Sequence, residues 1–385
     1  MLPDWFAGER FAVLDVDWRE SRGACWARAE IMRLWRGEDW YLQIDSHMRF
    51  AADWDVRLFE QVALTRSSRP ILSAFPPHFT LDGDAAPAPL LTTFERFDED
   101  GIALPGAGWF PDWSPGLPPR RTRFLSAAFL FAPGSFVEDV PYNPELYFHG
   151  EETMLTLRAF SHGYELFQPC ELLLWHLYSR DHRATHWGDH IRENGVSVGW
   201  HERDARSRAW IGRFLAAPYV GRFGLGPQRS FADYEAYAGI SFAQRRVQDY
   251  TRGCLEPPNP PAAADWATRV LDHRIELELD LDRLPAGALG EDATFWYLGA
   301  HDQSGREIYR RDLDTTELEQ VRGRPDALVS ITRCFESEVT PASMTVIPHS
   351  ASRGWLEPIT LPVVREYAAG ARELSWRAVC ASAPR

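Results

Sequence analysis

The sequence predicts an α/β domain over residues 1–253, followed by a small antiparallel β-domain over residues 265–385. Three observations carry this. Strand-like and helix-like runs alternate from Arg10 onward. A proline-rich break, "CLEPPNPPAAAD", begins at Cys254, with residues 254–264 forming the linker. Beyond it, "RIELELDLD" alternates apolar and acidic residues, the pattern of a strand with one solvated face.

Taken in order, "RFAVLDVDW" reads as a strand, "ACWARAEIMRLWRG" as a helix with Gly37 as its C-cap, and "WYLQID" as the next strand. That order suggests a parallel unit, whose ligand site should lie off the carboxyl ends of its strands. A helix near Asp55–Leu64, a strand "RPILSAF" and a Pro/Gly-rich loop from Asp82 to Pro119 follow. Then come a buried strand, "FLSAAFLFAP", and a helix, "EETMLTLRAFSHG", closed by Gly163. In the second domain "TFWYLGAHDQSGREIYRRDL" reads as a hairpin turning at Asp302–Gly305 and "ALVSITRCFE" as a further strand. The expected arrangement there is a sandwich. Phe295, Trp296 and Tyr297 could stack on a sugar, although cross-strand packing is the simpler account of them.

Composition narrows the function. At 45% hydrophobic and 25% charged, the 385-residue chain has the make-up of an ordinary soluble protein. Its longest apolar run, Phe124–Pro133, is too short to span a bilayer, and "MLPDWFAGER" lacks the regions of a signal peptide, so no membrane span and a cytoplasmic address are expected. The net charge of −14 argues against a nucleic-acid partner. All 41 basic residues are arginine, as a GC-rich, bacterial genome would favour, and lysine-based Schiff-base or P-loop chemistry is excluded. Five scattered cysteines without a CxxC read as reduced, structural thiols.

The chemistry gathers at a few polar residues. "WYLQIDSHMRF" ends an apolar strand in Asp45 and His47, and two residues apart on an extended segment project to the same side. A carboxylate oxygen with an imidazole suits Mn²⁺, Mg²⁺ or Zn²⁺. A turn-capping aspartate beside a surface histidine is the plainer alternative. Seven of the twelve histidines fall between residues 149 and 201. Among them, His176 ends an apolar strand, "ELLLWH", and is placed to be a third ligand. Glu151 opens a helix, where the dipole favours a carboxylate. Singly, Glu151 could be a helix cap and His176 a strand-end ring bonded to backbone.

Together, "SRGACWARAEI", "YLQIDSHMRF", "DWDVRL", "LYFHGEE" and "LLWHLYSR" with "HWGDH" resemble a known family. It is that of the cytoplasmic N-acetylglucosaminyltransferases that modify hydroxyproline on a ubiquitin-ligase subunit, and more distantly the polypeptide N-acetylgalactosaminyltransferases. The resemblance covers roughly residues 8 to 245. It implies a GT-A fold, a UDP-sugar donor, a divalent metal (Mn²⁺ or Mg²⁺) and retention of anomeric configuration. By resemblance, Asp45, His47 and His176 bind the metal, with Ser46 between the first two. Glu151 lies by the sugar and acceptor, with Glu152 the other candidate acid. Ser126, Ala127 and Ala128 pass beneath the donor sugar, and Arg22 and Arg28 face the donor. Arg180, Arg183, His186 and Trp187 fall in a segment resembling a loop over the diphosphate. Phe148 and His149 stand where the polypeptide transferases carry Trp-Gly, so the donor sugar could differ.

The resemblance also implies a strand, helix and strand ahead of "RFAVLDVDW" that bind much of the uridine. With Met1 only ten residues ahead, the expectation is a truncated chain or a transferase domain lacking that unit. The leading expectation is a metal-dependent, retaining transfer of N-acetylglucosamine from a UDP-sugar to a hydroxyl of a peptide, protein or small molecule. Glu151 could orient or deprotonate that hydroxyl, or stabilise an oxocarbenium-like sugar. With no second carboxylate evident, same-face displacement is favoured. Alternatives are a catalytically impaired binding or scaffold protein that uses the β-domain, and a metal-dependent phosphoester hydrolase.

Overall fold

The computed structural model describes residues 11–98, 100–179, 185–260, 271–323, 327–337, 339–367 and 374–379. Arg180, Arg183 and Cys380 lie outside them, as does the Trp187 side chain. The chain forms two compact units, residues 1–268 and 269–385.

In the first unit, α1 (Ala24–Met32) buries Cys25, Ala29 and Met32, four and three residues apart and hence on one face. Gly23 caps it at φ +110°, where an added Cβ would come within 2.6 Å of the Tyr147 carbonyl oxygen. α1 ends short of the expected Gly37, because the chain turns at Leu34 and Trp35 to enter β1 (Trp40–Ile44). Next come β2 (Met48–Phe50), α2 (Trp54–Thr65), β3 (Pro70–Ser73), β4 (Leu91–Phe97), β5 (Ala103–Gly108), β6 (Arg120–Arg121) and β7 (Phe129–Pro133). The unit continues with α3 (Phe136–Asp139), α4 (Glu151–Ser161), β8 (Glu165–Gln168), β9 (Leu174–His176), α5 (His186–Asp189), α6 (Trp200–Ala216) and α7 (Phe231–Ala238). A short hairpin, β10 (Ile240–Ser241) and β11 (Arg246–Val247), precedes α8 (Asp249–Arg252).

Three expectations are corrected here. Residues 11–17 form no strand and expose Phe11, Val13 and Leu14; a strand needs a neighbour to satisfy its backbone, and none of the described strands pairs with this run. The central sheet has the order β1-β7-β3-β8-β6, in which β3 and β8 run parallel while β1/β7, β3/β7 and β6/β8 are antiparallel. The parallel unit expected of residues 10–18 with β1 is therefore not formed among the described residues, and β1 pairs antiparallel with β7. The 82–119 loop contains the antiparallel β4/β5 hairpin, hidden in sequence by Pro105 and the glycines of "ALPGAG". The helix read from Glu151 is α4, and Gly163 closes it at φ +85°.

The second unit contains β12 (Leu271–Asp280), β13 (Ala293–His301), β14 (Glu307–Arg310), α9 (Thr315–Arg322), β15 (Leu328–Ser337), β16 (Ser343–Ser350), β17 (Gly354–Trp355), β18 (Ile359–Tyr367) and β19 (Leu374–Val379). Ile275, Leu277 and Leu279 point into its core while Arg274 is exposed, as the alternation requires. β12 pairs with β15 and, in parallel, with β19; β19 pairs with β18, β18 with β16, and β16 with β13, which pairs with β14. The strands thus follow one hydrogen-bonded path, mainly antiparallel, in which β18 pairs with β16 through Ile359–Pro362 and with β19 through Val363–Tyr367. Tyr309 of β14 stacks on Phe335 of β15 at 4.2 Å, so side chains from the two ends of that path meet. Trp296 is fully buried in this core and Phe295 stacks on His349, which supports packing over sugar stacking.

Candidate active site

β1 delivers Asp45. Ile44 pairs with Phe129 of β7, and the next backbone N–H, that of Asp45, donates to Ala128 O at 3.3 Å. His47 then leads into β2, whose Met48 pairs with His176 of β9. The Leu177 N–H donates to His47 O at 3.0 Å, so two short strands carry both imidazoles to one place. Their ring centroids lie 4.3 Å apart. Asp45, His47 and His176 each offer a ligand atom, and these atoms all lie within 4.8 Å of one another. The third ring therefore stands beside the Asp-x-His pair, as one shared ion requires.

His176 is the diagnostic member. It is buried, its Nε2 is 3.4 Å from Asp45 Oδ2, and neither ring nitrogen makes a hydrogen bond. A buried imidazole seldom lacks hydrogen bonds on both nitrogens, and a cation accepting the ring's lone pair would satisfy one of them. One carboxylate with two imidazoles is a fitting donor set for a divalent ion. Burial by itself would push the Asp45 carboxyl up; the His176 ring, Arg28 and His47 outweigh it and hold the carboxyl below its ordinary range.

Arg28, on α1, does not stand free toward a donor. One guanidinium nitrogen binds Asp45 Oδ1 at 3.0 Å and another binds Glu151 Oε1. Glu151, buried at the start of α4, also accepts from Tyr142 Oη at 2.9 Å. Glu152 accepts the Ala127 N–H at 2.9 Å and so braces the Ser126–Ala128 turn. That turn is pinned from beneath, where Ser126 N–H donates to Ser73 Oγ at 2.8 Å and Ser73 Oγ donates to Phe129 O at 2.7 Å. Ser46 is exposed, its Oγ 3.3 Å from His47 Nδ1. Phe148 is half-buried, and its carbonyl accepts the Glu151 N–H at 3.3 Å. The neighbouring His149 is tied to Asp98 at 2.7 Å.

His186 belongs to a separate cluster. Its Nδ1 is 2.5 Å from Tyr147 Oη, its Nε2 is 3.2 Å from Ser21 Oγ, and its ring lies 3.8 Å from that of His190. Burial first, then the charges of His190 and Arg203, push its pKa down to about 4. Arg22 is exposed, and its charge, after burial, helps to lower the Arg203 pKa, which places it at this basic corner.

Gln43, Tyr142 and Tyr178 were not singled out from sequence. Gln43 carried a signal, being a polar residue in the apolar strand "WYLQI", and it is buried. Tyr142 carried none; Tyr178, two residues beyond His176, meets its ring edge-on at 4.1 Å.

No curated protein matches the chain. Among solved structures, that of GalNAc-T7 with UDP, GalNAc and Mn²⁺ is similar over 52% of this chain and 39% of that one, at 16% identity and a TM-score of 0.33. This chain thus spans less than half of that structure's length. Residues 3–244, more than half of the sequence, match the family described as Glycosyltransferase (GlcNAc), and the chain belongs to that family.

Proposed function

We propose that the protein is a metal-dependent, retaining transferase that moves N-acetylglucosamine from a UDP-sugar to the hydroxyl of a peptide, protein or small molecule. The carrying observation is the Asp45–His47–His176 group, with His176 buried beside Asp45 and neither ring nitrogen in a hydrogen bond. The family description supports N-acetylglucosamine as the sugar. The motifs that resemble hydroxyproline-modifying transferases favour a peptide hydroxyl.

A divalent ion held by these three residues supplies positive charge for the leaving diphosphate. The protein's own groups do the rest. The Ser126–Ala128 turn, braced by Ser73 and Glu152, forms a rigid floor beside Asp45 for the sugar. Glu151, bound by Arg28 and Tyr142, presents fixed negative charge to an oxocarbenium-like sugar and orients the acceptor hydroxyl. The acceptor oxygen bonds to the anomeric carbon as the glycosyl–phosphate bond breaks on the same face. The electron pair goes to the phosphate oxygen, which takes the hydroxyl proton.

Titration calorimetry tests this. UDP-N-acetylglucosamine should bind with Mn²⁺ and not without it. Asp45→Ala and His176→Ala should each abolish metal-dependent transfer while keeping a cooperative melt. Full activity in either variant, or donor binding indifferent to metal, would remove the assignment.

A further inference from the structure

Behind Glu151 lies a buried hydrogen-bond chain whose direction is fixed by one backbone carbonyl. Gln43 Nε2 lies 2.7 Å from Ala127 O and 2.9 Å from Tyr142 Oη. A carbonyl oxygen can only accept, so the amide nitrogen of Gln43, not its oxygen, must face this way. The amide oxygen accordingly accepts from Tyr41 Oη, at 2.9 Å. Gln43 then donates its second N–H to Tyr142 Oη, and the single Tyr142 proton is left to point at Glu151 Oε1, 2.9 Å away. Arg28 also binds Oε1. Among the described residues, both bonds to the Glu151 carboxylate fall on Oε1 and none falls on Oε2.

We propose that Gln43 and Tyr142 are positioning residues that anchor Glu151 through Oε1, which leaves Oε2 as the oxygen that receives the acceptor hydroxyl. The same amide grips Ala127 O, so the floor beneath the sugar and the carboxylate beside it are set by one side chain. The strand supplies it: Gln43, on the edge strand β1, pairs with Leu130 of β7 and lies two residues before Asp45. Burial keeps the Tyr142 phenol protonated, its pKa pushed well up, so the proton in this chain is permanent at working pH.

The inference rests on the transferase reading above, and the test separates the two. UDP release from UDP-N-acetylglucosamine with Mn²⁺, water serving as acceptor, gives kcat and KM. Tyr142→Phe keeps the ring and deletes the proton; Gln43→Glu keeps the shape and removes the amide donors. Each should lower kcat about ten- to a hundredfold, the scale of a hydrogen bond to a charged group; in Tyr142→Phe, which leaves the Gln43–Ala127 contact in place, KM and Mn²⁺ affinity should be unchanged. Wild-type kcat in Tyr142→Phe, or a rise in KM with kcat preserved, overturns the positioning role alone. Wild-type protein that neither binds nor turns over the donor overturns the transferase reading, and this inference with it. If Tyr142→Phe fails to melt cooperatively, Gln43→Glu carries the kcat outcome, and wild-type kcat there overturns the positioning role.

Discussion

Arg28 joins two carboxylates, Asp45 and Glu151, through separate guanidinium nitrogens, and its side chain is only 14% exposed. Burying Glu151 is tolerable because that cation and the Tyr142 hydroxyl meet it. Replacing Arg28 with leucine leaves the carboxylates facing each other uncompensated. Stability should fall by about 3 kcal/mol in chemical denaturation, and Mn²⁺ should restore more of it than it adds to wild type. A variant as stable as wild type without metal would show that the pair contributes nothing. The cysteines test burial instead. Burial raises the Cys170 thiol to about 11 and Cys25 to about 12, whereas Cys334 is exposed and Cys254 half-buried. Among these four, alkylation of the folded protein followed by mass spectrometry should mark Cys334 and Cys254 first, with Cys25 and Cys170 reacting only after unfolding.

At the scale of elements, two devices hold the site's edges. Gly150 turns the chain into α4 at φ +79°, and an added Cβ there would come within 2.7 Å of Ile211 Cδ1. Gly150→Ala should cost about 2 kcal/mol in denaturant and displace Glu151, lowering turnover further than stability alone explains. The second device holds α5 against Ser21 and Tyr147 through His186. Its ring titrates near 4 when folded against 6.5 for an unperturbed histidine. The folded pKa is depressed, so the unfolded chain binds the extra proton. The cluster's full stability is therefore present above pH 6.5 and is lost as pH falls through about 4. Melting temperature should drop more steeply between those limits in wild type than in His186→Gln; parallel slopes would remove His186 as the cause. Sequence spacing made Asp45 and His47 legible together, since alternation on an extended segment is local. Gln43's role was not legible, because its partners Ala127 and Tyr142 come from distant segments.

For the whole molecule, the second unit has a core of its own, including Ile275, Leu277, Trp296, Leu298 and Val346. A fragment of residues 269–385 should melt cooperatively and show dispersed amide resonances; a collapsed, undispersed spectrum would make residues 265–385 an unsound domain assignment. In the first unit no described helix is long and apolar enough to cross a membrane.

Local pattern by itself determined the helices from Ala24, near Asp55 and from Glu151, the alternating strand that includes Arg274–Asp280, and an acid and imidazole at the tip of β1. Each is a short-range signal, written in capping residues and apolar period. Only the tertiary structure decided that β7 separates β1 from β3, that residues 11–17 join no described strand, and that Arg28 faces two carboxylates. Those outcomes depend on which distant segments meet: strand partners and buried charges are chosen by non-local burial, and a sequence records the need for a partner more plainly than its identity.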